Sequence, residues 1–172
     1  MKTIKCDFTY AEQILAIFND AILTSTALYD YKSRNMDDMK SWFEVKNQNS
    51  YPVIGIVDEM EKLLAFGSYG QFRTWQAYKY SIEHSLYVEK SHRGKGLGKI
   101  ILSELIQAAR KQQYHCMVAG IDSTNIASIK LHKQYNFEHC GTIKQVGFKF
   151  NSWLNLDFYQ LLLDSPSNPT DG

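Results

Sequence analysis

Arg93-Gly94-Lys95-Gly96-Leu97-Gly98 sets glycines and cations between a strand-like run, Ser81 to Val88, and a strongly amphipathic stretch. Those residue types in that place can hold an anion. Glycine has no Cβ, so its backbone N–H groups can approach a phosphate closely, and a helix N-terminus behind them offers unpaired amides and partial positive charge. A pyrophosphate-bearing cofactor is therefore expected. Spacing argues against two other phosphate loops. The Walker pattern needs Ser or Thr after Gly-Lys, where Ile100 follows Gly98-Lys99, and the dinucleotide fingerprint needs G-x-G-x-x-G, whereas Gly94, Gly96 and Gly98 have single-residue gaps. The alternative for Lys90 to Lys99 is a solvated basic loop.

Other side chains could do chemistry nearby. Glu83 lies on the strand that feeds the loop; in a partly apolar cleft its pKa should rise, which suits removal of a proton from an ammonium, directly or through water. Its neighbour His84 faces the opposite way by strand alternation, so the two do not form a triad. Arg73 can pair with a carboxylate or phosphinate through two parallel hydrogen bonds. Asn125 stands before an apolar run, where it can cap a helix that carries Ser128 and His132. His92, His115 and His139 show no metal-ligand spacing, and Cys6, Cys116 and Cys140 form no C-x-x-C pair. No metal is expected, and the thiols read as reduced and structural, as in a cytosolic protein.

These residues need elements to position them. Lys2 to Asp7 alternates like a short strand, and Thr9 is a plausible N-cap for a helix with Ile14, Leu15, Ile17, Phe18, Ala21 and Ile22 on one face. Asp37 to Lys46 reads as a second helix. Val53 to Asp58, Leu63 to Phe72 and Ser81 to Val88 read as strands of an antiparallel meander, with Asp58 to Glu61 as its first turn. Behind the glycine loop, Leu97, Ile100, Ile101, Leu105, Ile106 and Ala109 recur at helical spacing. Cys116 to Ile121 is a buried-type strand, Asn125 to Gln134 a helix, and Phe137 to Lys149 and Trp153 to Leu163 are final strands. The order β-α-α-β-β-β-α-β-α-β-β implies an α/β protein with a mixed sheet and helices on its faces. One domain over residues 1–163 is expected, followed by a frayed tail over 164–172.

The whole chain sets further bounds. At 172 residues it can bury a full core, and its 11 Tyr, 9 Phe and 3 Trp favour a sheet-rich fold with a partly aromatic pocket. A formal net charge of +1 gives no long-range field to concentrate nucleic acid or an anionic membrane. Asp7, Glu12 and Asp20 interrupt the N-terminal region, and neither a signal peptide nor a membrane span is expected.

A resemblance joins these readings. Arg93, Gly96 and Gly98 satisfy Arg/Gln-x-x-Gly-x-Gly/Ala, which resembles the pyrophosphate loop of the GNAT superfamily of N-acetyltransferases. Asn125-x-x-Ser128-x-x-Leu131-His132, ending in Phe137, is similar to that family's second element, with His132 in place of the usual Tyr and Asn136 in place of Gly. Asn tolerates the left-handed backbone, so the second change keeps a helix cap. Ile22 to Ala27, Phe72-Arg73, Ala77 to Tyr80, Glu83 to Val88, Val146 to Lys149 and Trp153 together resemble the phosphinothricin/methionine sulfoximine acetyltransferases. The matches span about residues 1 to 162, nearly the whole chain.

The resemblance implies the GNAT acyl-CoA N-acyltransferase fold, acetyl-CoA as cosubstrate, and acetyl transfer to the α-amine of a small amino acid such as phosphinothricin or methionine sulfoximine or sulfone. It places the coenzyme against the backbone of Leu86, Tyr87 and Val88, the loop Arg93, Gly94, Lys95, Gly96, Leu97 and Gly98, and Asn125 and Ser128. Glu83 would be the general base, and His132 would protonate the departing thiolate or hydrogen-bond the coenzyme. Thr26, Phe72, Arg73, Tyr78 and Lys79 would join Glu83 around the acceptor. A cytoplasmic homodimer is implied, with Val146 to Trp153 as a candidate interface. Other acceptors (a polyamine, an aminoglycoside or a protein terminus) and a sensor without turnover are the competing readings.

Overall fold

In the computed structural model, which describes residues 1–171, the strands and α-helices follow the order read from the sequence. They are β1 Lys2–Lys5, α1 Ala11–Thr24, α2 Met36–Gln48, β2 Val53–Val57, β3 Leu63–Gln71, β4 Ser81–Val88, α3 Leu97–Lys111, β5 Cys116–Asp122, α4 Ile126–Gln134, β6 Glu138–Lys149 and β7 Ser152–Leu162. The strands form one mixed sheet in the order β1-β2-β3-β4-β5-β7-β6. Residues gather into two compact units, Met1–Tyr69 with Ser85–Leu105, and Gly70–His84 with the residues from Ile106 on.

In the first unit, β1, β2 and β3 pair antiparallel, with β2 and β3 joined by the Asp58 turn. Asp58 Oδ1 accepts from the N–H groups of Met60 and Lys62, and Glu61 takes φ 60°. Helix α1 buries Ile14, Ile17, Phe18, Ala21 and Ile22, the helical face expected from the sequence. Phe18 is the hub of an aromatic cluster, edge-on to Phe66 at 5.0 Å, Tyr87 at 5.1 Å and Trp42 at 5.6 Å. Truncating such a ring to Ala costs about 3–5 kcal/mol. Helix α2 begins with a reciprocal capping box, in which Asn35 Oδ1 accepts from Asp38 N–H and the Asp38 carboxylate accepts from Asn35 N–H.

Two local expectations are corrected. Thr9 does not cap α1. Asp7 accepts from Thr9 N–H and caps a 3-10 turn over Phe8–Tyr10, so Tyr10 precedes the α-helix without a side-chain cap. A carboxylate two residues upstream is the stronger acceptor. In α3, Leu97, Ile101, Leu105, Ile106 and Ala109 are buried as expected, but Ile100 is 45% exposed and Leu102 is fully buried in addition.

In the second unit, β4 and β5 pair in parallel from Ser81↔Cys116 to Glu83↔Val118, while β7 pairs antiparallel with β5 and β6. Asn136 takes φ 63° just beyond α4, the left-handed cap that its place in the motif implied. The β6–β7 hairpin turns through Phe150 and Asn151 at φ 50° and 58°. The segment after β7 makes specific contacts. Ser165 Oγ donates to the Tyr114 carbonyl, His115 Nδ1 donates to the Ser165 carbonyl, Thr170 N–H donates to Tyr80 Oη, and Lys79 Nζ donates to the Asp171 carbonyl. Gly172, the last residue of the stretch expected to fray, lies outside the described residues.

Candidate active site

The glycine loop belongs to the first unit. Gly94 and Gly96 take φ 77° and 82°, and no atom lies within 4 Å of a Cβ built on either. Glycine is needed there for its backbone rather than for room. Lys99 N–H donates to the Gly96 carbonyl as the chain enters α3. Upstream, Glu89 accepts from Ser91 N–H and from His92 Nδ1 at 2.7 Å, which closes the short turn Lys90–His92. Hydrogen bonds from Ser91 and His92 hold the Glu89 carboxyl down at about 2.

Arg93 turns back on its own unit: Nε donates to the Val88 carbonyl at 3.1 Å, and the guanidinium meets Asp20 at 2.7 Å. Lys95 and Gly94 are exposed and Gly98 is half-buried, whereas the side chains of Leu97 and Tyr87 are in the core, so only their backbones are available to a ligand. Leu86 and Val88 are half-buried. Thr26 lies beyond α1 and is half-buried, beside a turn in which Ser25 Oγ accepts from Ala27 N–H.

The second unit carries the carboxylate. Glu83 is half-buried; burial raises its carboxyl above the usual range, and the positive charge of Arg73 partly offsets this. A Cβ at position 120 would lie 3.1 Å from Glu83 Oε1, so Gly120, on the neighbouring strand, leaves the space the carboxylate occupies. Arg73 stacks on Phe72 at 4.4 Å and donates to its carbonyl, while Phe72 and Tyr78 meet edge-on at 5.8 Å. The exposed Trp75 ring lies 6.3 Å from Tyr78. Lys79 Nζ is held by Asp171 and lies 5.0 Å over Tyr80. Glu83 and Arg73 are thus brought within electrostatic reach, in a neighbourhood of aromatic rings.

Asn125 caps α4, its Oδ1 accepting from Ser128 N–H at 3.1 Å. His132 is 3% exposed, with both ring nitrogens engaged: Nδ1 contacts the Ser128 carbonyl at 2.7 Å and Nε2 contacts His84 Nε2 at 3.0 Å. His84 Nδ1 in turn contacts the Val118 carbonyl at 3.0 Å. Burial lowers the pKa of both imidazoles. Among the described residues no group of three metal-ligating side chains is present.

Sequence reasoning missed the fit of Gly120 to Glu83 and the contact of His84 with His132. A glycine inside a buried strand signals close approach of another group and could have pointed to Gly120. His84 carries no comparable signal, because its partner is 48 residues away.

Similarity to known proteins agrees with this fold. The sequence pattern described as the acetyltransferase (GNAT) family matches residues 14–137. A relative from Pseudomonas aeruginosa, an L-methionine sulfoximine/L-methionine sulfone acetyltransferase, is 42% identical over 151 residues, covering 88% of each chain. An L-amino acid N-acyltransferase from Escherichia coli is 39% identical, covering 91% of this chain and 90% of its own. The crystal structure of a phosphinothricin acetyltransferase from Sinorhizobium meliloti in complex with acetyl-CoA superposes with a TM-score of 0.94 at 29% identity, covering 99% of this chain and 94% of that one. With its glycine loop before α3, its capped α4 and its seven-stranded mixed sheet, the chain belongs to the acetyltransferase (GNAT) family.

Proposed function

We propose that the protein transfers the acetyl group of acetyl-CoA to the α-amine of a small amino acid of the methionine sulfoximine, methionine sulfone or phosphinothricin kind. The observation that carries this reading is a half-buried carboxylate of raised pKa, Glu83, within electrostatic reach of Arg73. The names of the relatives supply the acceptor class.

Both substrates are present together and no acyl-enzyme forms. The coenzyme diphosphate lies on the backbone of Arg93 to Gly98, where left-handed glycines and the start of α3 present N–H groups. Its pantetheine arm follows the backbone of Leu86 to Val88, and Asn125 and Ser128 contribute from α4. Arg73 receives the acceptor's acidic group, with Phe72, Tyr78, Lys79 and Thr26 shaping its surroundings. Glu83 takes a proton from the ammonium, directly or through water. The neutral amine attacks the thioester carbonyl, the C–S bond breaks, and the thiolate leaves and is protonated. His132 has both nitrogens engaged within the protein, so we assign it to the support of α4 rather than to that protonation.

The protein works in the cytoplasm as a homodimer. Exposed Val146, Phe148, Phe150 and Trp153 on the β6–β7 hairpin favour the pairing. Sedimentation of wild type against a Phe148→Asp/Trp153→Asp variant tests it; a wild type that stays monomeric would count against it. The activity is tested by following thiol release from acetyl-CoA with methionine sulfoximine, methionine sulfone, phosphinothricin, spermidine and an aminoglycoside. Release with the first three supports the reading, and release with only the polycations overturns it.

A further inference from the structure

We propose that His84 is a positioning residue for the transfer site and that it shares one proton with His132 along the line between their Nε2 atoms. The argument is a count of protons. The carbonyls of Val118 and Ser128 only accept, so the Nδ1 atoms that meet them at 3.0 and 2.7 Å each carry hydrogen; Ser128 Oγ also approaches His132 Nδ1, but at 3.3 Å, and the nearer carbonyl sets the tautomer. Two neutral rings would then point bare lone pairs at each other across 3.0 Å. A third proton turns that repulsion into a hydrogen bond.

The shared proton opposes desolvation, which draws both imidazoles down. One charge spread over two rings, with a carbonyl dipole at each outer end, offsets that cost. Phe137 packs against both rings at 5.4 and 5.1 Å, which fixes them and keeps water away.

The consequence is mechanical. Val118 is the register partner of Glu83, and Ser128 is the residue that Asn125 caps. The chain Val118–His84–His132–Ser128–Asn125 therefore ties the rung bearing the general base to the first turn of α4. His84 is 6% exposed and acts through His132. The effect on coenzyme binding rests on the acetyltransferase reading above, but the proton itself does not.

Nitrogen-15 NMR of the coenzyme-free protein tests the proton. Both Nδ1 atoms are expected to be protonated, with a far-downfield proton correlated to both Nε2 atoms; two neutral imidazoles with no such proton would overturn the assignment. Calorimetry with acetyl-CoA on His84→Phe, His132→Phe and the double variant tests the positioning. Each single change is expected to weaken binding about tenfold, the scale of a charged hydrogen bond, and the double to weaken it no further. Additive losses, or unchanged affinity in both single variants, overturn the role. Should a Phe variant not fold, His84→Gln and His132→Gln take its place in the calorimetry, with the same outcomes deciding. A wild type that binds no acetyl-CoA would remove the acetyltransferase reading and the positioning role together, leaving the shared proton to the resonance alone.

Discussion

Glu83 occupies space that Gly120 leaves open: a methyl group at position 120 would stand 3.1 Å from Glu83 Oε1 and 3.4 Å from Leu156 Cδ1. The proposed general base is thus bounded from the neighbouring strand as well as carried by its own. Gly120→Ala pushes the carboxylate by a few tenths of an ångström. Since a displacement of about 1 Å costs about 100-fold in rate, kcat is expected to fall several-fold, and more in Gly120→Val. Steady-state kinetics check this, with circular dichroism to show that the fold is kept.

Glu83→Gln separates activity from stability. Burial holds the carboxyl above its ordinary value of 4.5, so its stabilising contribution is full below 4.5 and is lost as pH rises through the raised value. At pH 7 the ionised carboxylate costs stability, which Gln relieves. The variant is expected to melt higher than wild type at pH 7 while kcat falls about 100-fold or more, with coenzyme affinity retained. In the wild type, kcat/KM should climb with pH through a value above 4.5. Melting curves and pH–rate profiles read both effects.

Gly96 distinguishes backbone from space. Its φ of 82° suits Gly, then Asn, and penalises β-branched residues, while nothing crowds a side chain there. Gly96→Val is expected to cost about 1–2 kcal/mol of stability and to weaken acetyl-CoA binding, with Gly96→Asn intermediate in both. Equal affinities for the two variants by calorimetry would contradict the role given to the left-handed turn.

Lys46 offers a test outside the site. Its Nζ donates to the Tyr69 carbonyl and faces Trp42 at 5.2 Å, and burial lowers its pKa from 10.5 to about 8. The unfolded chain binds the extra proton between those values, so Lys46's contribution to stability rises as pH goes from about 8 to 10.5. The gain in melting temperature over that window should be smaller in Lys46→Met than in wild type.

The glycine loop, the order of the elements and the left-handed cap at Asn136 were legible because each is written in local spacing: glycines at fixed offsets, apolar residues at period 2 or 3.6, an Asn at a helix end. What escaped was long-range. The turn of Arg93 toward Asp20 joins residues 73 apart, and the His84–His132 contact joins residues 48 apart, so no window of sequence contains either. Ile100 was misplaced for another reason. Leu97, Ile100, Ile101, Leu102 and Leu105 crowd one stretch, and packing rather than periodicity decides which of them turns outward. Thr9 and Asp7 are both good caps two residues apart, and the stronger acceptor won.

The tryptophans are distributed in a way that makes the protein its own optical reporter. Trp42 sits edge-on between Phe18 and Phe43 in the aromatic cluster, whereas Trp75 is exposed beside Tyr78 in the segment proposed to meet the acceptor. Fluorescence from the first follows melting of the apolar interior, and quenching of the second follows amino-acid uptake, so a Trp75→Phe/Trp153→Phe protein watches unfolding alone, without an added dye.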